Sequence, residues 1–242
     1  MPYVMSVISG FIIFGLLTII YVYLRQDRLG INKLDNKSKY RIGRVLYFTK
    51  KDMIFCSSQI SKKIWMLMGT ISLVSIFLIF SILNSEFYLV SKIKFIAVLI
   101  AITLSAFTDA LEKKIYNEIV GSLLIFRTIM FIPEYFVYKE NFIKDILSSL
   151  IAFVVCLLVF LFIHFITKGG IGMGDIKLIC AIGYVEGLTC VFYMMVFGMF
   201  LSMIYAIFLL TIKKKGRKEQ IPFGPFLYLG YIVVLILEML VI

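Results

Sequence analysis

Apolar residues fall into long runs separated by short polar stretches, and those runs set the architecture. The first, Tyr3 to Leu24, is long enough as a helix to cross about 30 Å of hydrocarbon at about 1.5 Å per residue. Residues 25–63 then form a polar loop with eleven Lys/Arg and three Asp. Further runs follow at Ile64–Leu83, Ile93–Thr108, Ile119–Phe136, Ile146–Ile166, Ile176–Val185, Leu188–Ile212 and Phe223–Ile242. Each predicts a helix, because a backbone in lipid must satisfy its own amides. Ile176–Val185 is the outlier, covering only about 15 Å as a helix. The first run has no Lys or Arg before it and no small-residue cleavage site after it, so the expectation is a retained span rather than a secretory signal.

Charge placement decides the count. With the short run included there are eight spans, both termini outside, and the loops 25–63, 109–118, 167–175 and 211–221 share one side. With Lys177 at its boundary, that side holds 20 of the 25 Lys/Arg. Lys92, Lys94, Lys139 and Lys144 fall opposite, and Arg127 lies within a span. Basic residues collect in cytoplasmic loops, and dropping the short run would send Lys213, Lys214, Lys215, Arg217 and Lys218 outside. The expected fold is all-α, a polytopic membrane bundle of about eight transmembrane helices. Its parts are a first span over 1–24, a basic cytoplasmic loop over 25–63 and a seven-helix core over 64–242, with a hairpin at Glu186–Gly187. The 25–63 loop reads either as an amphipathic helix on anionic lipid, each basic residue contributing about 1 kcal/mol near the surface, or as a solvated connector.

Composition agrees. Of 242 residues, 62% are hydrophobic and 16% charged, where a soluble domain is nearer half and a quarter, so the excess must face lipid. A soluble enzyme, a disordered chain and a disulfide-stapled domain are excluded. The net charge of +11 belongs to the cytoplasmic loops rather than to a nucleic-acid partner. Cys56, Cys156, Cys180 and Cys190 form no CxxC pair, so neither a zinc site nor a disulfide framework is expected. No metal and no cofactor is expected.

A carboxylate at the centre of a membrane helix costs roughly 2.5–3.5 kcal/mol, so each one within or beside a span asks for a reason. Asp109 ends the third run and Asp175 begins the sixth; the topology puts both at the cytoplasmic interface, though 66 positions separate them. Two carboxylates close enough to repel share a proton. The ionised member can take a proton from water as that water attacks a peptide carbonyl, while the protonated member stabilises the oxyanion. Just before Asp175 stand Gly169, Gly170, Gly172 and Gly174. They suit either a flexible loop that carries a catalytic group beside substrate or tight helix packing in lipid. Paired acids also carry ions, so a transporter or proton relay is the alternative, although such proteins place their acids nearer mid-membrane.

Three motifs give these residues a context. Gly172-Met173-Gly174-Asp175 followed by Ile176-Lys177-Leu178 resembles the GxGDxKL stretch of the type IV prepilin peptidases, intramembrane aspartyl proteases of bacteria and archaea. Asp109 with Lys113, Lys114, Ile115 and Asn117 resembles that family's first-aspartate motif, with Tyr116 in place of its proline. Ile221-Pro222-Phe223-Gly224-Pro225-Phe226-Leu227 resembles the segment opening its last span. The presenilin branch's Tyr-Asp and Pro-Ala-Leu motifs do not occur.

The resemblance implies Asp109 and Asp175 as catalytic pair, and Gly172, Gly174 and Lys177 as the active-site loop. Glu112, Glu118, Asn117, Pro222 and Gly224 become candidates for substrate contact. It implies an aspartic endopeptidase of the bacterial or archaeal cytoplasmic membrane with its site facing the cytoplasm. The substrate would be a prepilin-like or pseudopilin-like precursor with a short basic leader and an apolar helix embedded in lipid. Methylating members carry two CxxC pairs in the first loop and an Asn-Val-x-Ile-Tyr-Arg ending to the first span. This chain has Cys56 alone and ends that span Tyr21-Val22-Tyr23-Leu24-Arg25, so N-methylation stays open.

Overall fold

The computed structural model describes residues 62–137, 139–140, 142–212 and 221–241, with 13, 16 and 17 before them. The first apolar run as a whole, the basic loop up to residue 61 with Cys56, and the cationic 213–220 lie outside the described residues. Every regular element among the described residues is a helix: α1 (Lys62–Asn84), α2 (Leu89–Glu112), α3 (Asn117–Val137), α4 (Phe142–Ile166), α5 (Met173–Glu186), α6 (Leu188–Ile212) and α7 (Gly224–Val241). Helices α2, α3 and α4, and Leu188–Leu209 of α6, are long and apolar enough to cross a membrane. Met68–Asn84 and Gly224–Leu240 are apolar but shorter. The expected count of about eight rests on the charge argument and on segments beyond the described residues.

The chain divides after Phe77 into two units, with α1 running across the division. In the first, the described part of α1 turns a hydroxyl back on its own backbone, Ser72 Oγ donating to Met68 O at 2.7 Å. The second unit, Leu78–Ile242, holds the remaining helices. Its centre is α5, whose Ile176, Leu178, Ile179, Cys180, Ala181, Ile182, Gly183 and Val185 are all buried. A helix so largely apolar must be enclosed along most of its length, and α2, α3, α4 and α6 all pack on it, leaving Lys177 exposed near its start. Helix α7 lies against α2 and α6. Outer surfaces of α4 and α6 stay apolar, with Leu158, Phe162, Phe192 and Phe200 exposed. In water such faces would be a large liability; against lipid they are the expected surface.

Small residues set the closest crossings, as they do where lipid removes the hydrophobic drive between helices. A Cβ on Gly230 would collide with Met194 O and lie 2.9 Å from Gly198 N, so α6 and α7 touch backbone to backbone. Gly183 brings α5 against α4, where a Cβ would stand 3.3 Å from Cys156 Sγ. Helix α5 ends at Gly187, whose φ of +90° is a conformation that L side chains rarely adopt. The chain reverses there into α6, at the hairpin the sequence predicts.

Candidate active site

Asp109 lies in the last turn of α2, which runs three residues beyond Asp109 to Glu112. The helix stops where Lys113 turns left-handed, at φ 55°, with its N–H on Asp109 O at 2.8 Å. Ser105, Ala106, Phe107 and Thr108 are buried with Asp109, which is 6% exposed. Asp109 Oδ2 accepts the Gly224 N–H at 2.7 Å, and the backbone of Phe223 adds a second favourable contact. Gly224 is the first residue of α7. Amides of a first helical turn have no partner in their own helix, and the helix dipole favours negative charge there. Asp109 therefore caps α7 from another helix. Glycine is required at the contact: a Cβ on 224 would lie 3.0 Å from Asp109 Cβ and 3.2 Å from Ala106 Cα.

Asp175 reaches the same place through the glycine-rich turn. Helix α4 ends in a left-handed pair, Lys168 at φ 50° and Gly169 at φ 90°, and the Gly169 N–H bonds back to His164 O at 2.9 Å. The turn is tied twice more. Gly170 N–H donates to Thr167 Oγ1 at 3.1 Å, and His164 Nδ1–H donates to Ile171 O at 2.8 Å. Gly172 is extended and caps α5, placing Asp175 in the first turn. At Gly174 a Cβ would sit 3.1 Å from Ile115 Cβ, so the start of α5 is pressed onto the segment just after Asp109. The two carboxyl groups are near enough that the charge of Asp109 acts on Asp175. Asp175 Oδ1 is buried without a hydrogen-bond partner among the described residues. Such an oxygen is costly unless it carries or accepts a proton.

A family model describing the type IV leader peptidases matches residues 95–207, a stretch that contains both aspartates and the glycine-rich turn. Over residues 95–207 the chain is similar to the type IV leader peptidase family. No curated protein and no solved structure is significantly similar to the chain. The family indicates a peptidase, and with the apolar helices it indicates a membrane protein.

The other expected residues divide. Asp109, Asp175, Gly172, Gly174 and Gly224 converge. Lys177 and Asn117 meet at the exposed rim, Lys177 Nζ donating to Asn117 Oδ1 at 3.0 Å. Glu112 accepts the Tyr116 hydroxyl at 2.9 Å, while Glu118 is exposed at the start of α3 and Pro222 half-buried before α7. Two expectations change. Of the anticipated active-site loop only Gly172 lies in the turn; Gly174 and Lys177 are on α5, because the helix begins at Met173. Gly224, anticipated at substrate, has its amide on Asp109.

Two features escaped sequence reasoning. His164 fastens the glycine-rich turn, and a basic residue in the last turn of the preceding helix was the available signal. Arg127 and Glu134 form a buried pair at 2.6 Å, signalled by opposite charges seven residues apart, two turns along one face of an apolar helix.

Proposed function

We propose that the chain is a membrane-embedded aspartyl endopeptidase that removes the short basic leader from type IV prepilin-like or pseudopilin-like precursors at the cytoplasmic membrane face. One observation carries the reading: the first turn of α5, which holds Asp175, packs at Gly174 against Ile115 of the segment just after Asp109, within a stretch that matches a peptidase family. Asp109, oriented by the Gly224 amide, takes a proton from water as the water oxygen adds to the scissile carbonyl carbon. Asp175, with its unpaired Oδ1, gives its proton to the carbonyl oxygen. Collapse of the resulting diol breaks the C–N bond; Asp109 passes its proton to the leaving nitrogen and a diol proton returns to Asp175. Their protonation is coupled, so the acids act as a pair. Exposed Glu118 at the rim suits a basic leader.

The test is co-expression with a prepilin bearing a basic leader, followed by gel shift and the mass of the new terminus, which also reports methylation. Asp109→Asn and Asp175→Asn should each abolish cleavage while membrane insertion persists. Undiminished cleavage in either variant would sink the proposal.

A further inference from the structure

Helix α5 carries Asp175 at one end, and its other end is held by a buried ionic cluster that the chemistry above does not use. With 14 residues, α5 is about 21 Å long and cannot cross about 30 Å of hydrocarbon. Its last carbonyls have no helical partner and no bulk water at hand. Arg127 of α3 supplies a donor, Nε to Tyr184 O at 3.0 Å. The same guanidinium donates to Glu134 Oε1 at 2.6 Å and to Ser149 Oγ of α4 at 2.8 Å, and lies 4.4 Å over the Phe131 ring. From α2, Lys94 Nζ reaches Glu134 Oε1 at 3.1 Å. Arg127 and Glu134 are 1% and 2% exposed. Four helices thus meet at the Arg127–Glu134 pair.

Ionic groups at this depth are expensive to bury and are kept where they fix a register. Strong directional ties that fix the register of α5 are few. Most of its length is apolar and buried, its glycine contacts at Gly174 and Gly183 are close but carry no hydrogen bond, and lipid adds no hydrophobic drive to hold it. Its other side-chain ties are Lys177 to Asn117, which is exposed, and the Tyr231 hydroxyl on Glu186 Oε1 at 3.4 Å, near the long limit of a hydrogen bond. The helix is a strut: nine residues separate Asp175 from Tyr184, about 14 Å along the axis.

We propose that Arg127, backed by Glu134 and Lys94, is a positioning residue for the reaction, anchoring the carboxyl end of α5 so that Asp175 at its other end is held at the level of Asp109. The proposal rests on the peptidase reading for its catalytic consequence, but not for the placement of the helix.

Two variants test it. Arg127→Lys keeps the charge and loses the fork; the double exchange Arg127→Gln with Glu134→Gln removes both charges of the fully buried pair and leaves Lys94, whose side chain is 20% exposed, without the Glu134 carboxylate. Placement is read without activity by cysteines at Ile115 and Gly174, with Cys56 replaced by alanine and the buried native thiols left in place. The Cβ separation of 3.1 Å there is within a few tenths of an ångström of disulfide geometry. Both variants should form this disulfide more slowly than the parent under mild oxidant. In chains without the added cysteines, both should lower kcat about tenfold or more with KM unchanged, since misplacing a reacting group by 1 Å costs on the order of 10²-fold. Parental cross-linking rates in both variants overturn the anchor. Slower cross-linking with unaltered kcat overturns its role in the reaction. A parent that fails to cleave any prepilin refutes the peptidase reading instead, and the cross-linking rate still decides the anchor.

Discussion

The contact between Gly224 and Asp109 offers the sharpest test of the proposed site, through Gly224→Ala. The added Cβ would lie 3.0 Å from Asp109 Cβ, 3.1 Å from Oδ2 and 3.2 Å from Ala106 Cα. Carbon atoms rest at about 3.5–4.0 Å, so the start of α7 and the end of α2 must part by roughly half to one ångström. Neither Asp109 Cβ nor Ala106 Cα can rotate away, because each is fixed to the α2 backbone. Parting lengthens the 2.7 Å bond from the Gly224 amide to roughly 3.2–3.7 Å, at or beyond the limit of a useful bond. A hydrogen bond to a charged group is worth about 1.5–3 kcal/mol, which at about 1.36 kcal/mol per decade is roughly ten- to 150-fold in rate. Misplacement by 1 Å gives a similar figure, on the order of 10²-fold. We expect kcat to fall ten- to 100-fold. Initial rates on a prepilin in proteoliposomes would be compared with those of Gly121→Ala, a position where a Cβ meets nothing within 4 Å. A Gly224→Ala enzyme as fast as the Gly121→Ala control would refute the claim that this amide orients Asp109.

Other consequences are separable. Gly230→Ala should force α6 and α7 apart at their backbone contact with Met194 and Gly198, costing about 1–3 kcal/mol; thermal melting in detergent should show a lower Tm, and an unchanged Tm would mean the crossing is looser than described. His164→Ala removes the bond to Ile171 O, worth about 1 kcal/mol, and should quicken proteolysis within 167–172 in detergent while leaving the Tm nearly unchanged. Equal cleavage of that turn in both proteins would count against the tie. Activity should survive a chelator, since two carboxyl groups supply the whole proposed proton traffic; loss reversed by added zinc would replace that chemistry.

Much of the helical layout was legible because the bilayer makes hydrophobic length a direct constraint. The run Leu188–Ile212 is α6 to the residue, and the run Ile119–Phe136 becomes Asn117–Val137. Ends were less legible. Polar residues continue a helix as readily as they leave it, so α2 carries on past Thr108 through Asp109 to Glu112 until Lys113 turns left-handed. For the same reason Asp175 sits inside α5 rather than ahead of it, since Gly172 is the cap and Met173 already helical. For the two aspartates the sequence offered only a shared side, from charge placement; the packing of α5 at Gly174 against Ile115, just after Asp109, is read from the structure.

What sequence could not supply was which helix faces which. Arg127 was visible as a cation inside an apolar run, but its cost says only that some partner exists. Tyr184 O, Ser149 and Lys94 come from three other helices, and nothing in their spacing links them. The same holds for Gly224, a small residue in a motif until α7 is seen to begin against Asp109. Residues that present chemistry to a substrate leave a local pattern, because neighbouring positions must shape the same loop. Those that fix one helix against another need only a donor and an acceptor at matching depth, which distant segments can meet with many residue pairs. The proposed catalytic acids were therefore legible as motifs, while the groups that hold them in place, a backbone amide at one helix start and a guanidinium at another's end, emerge only from packing.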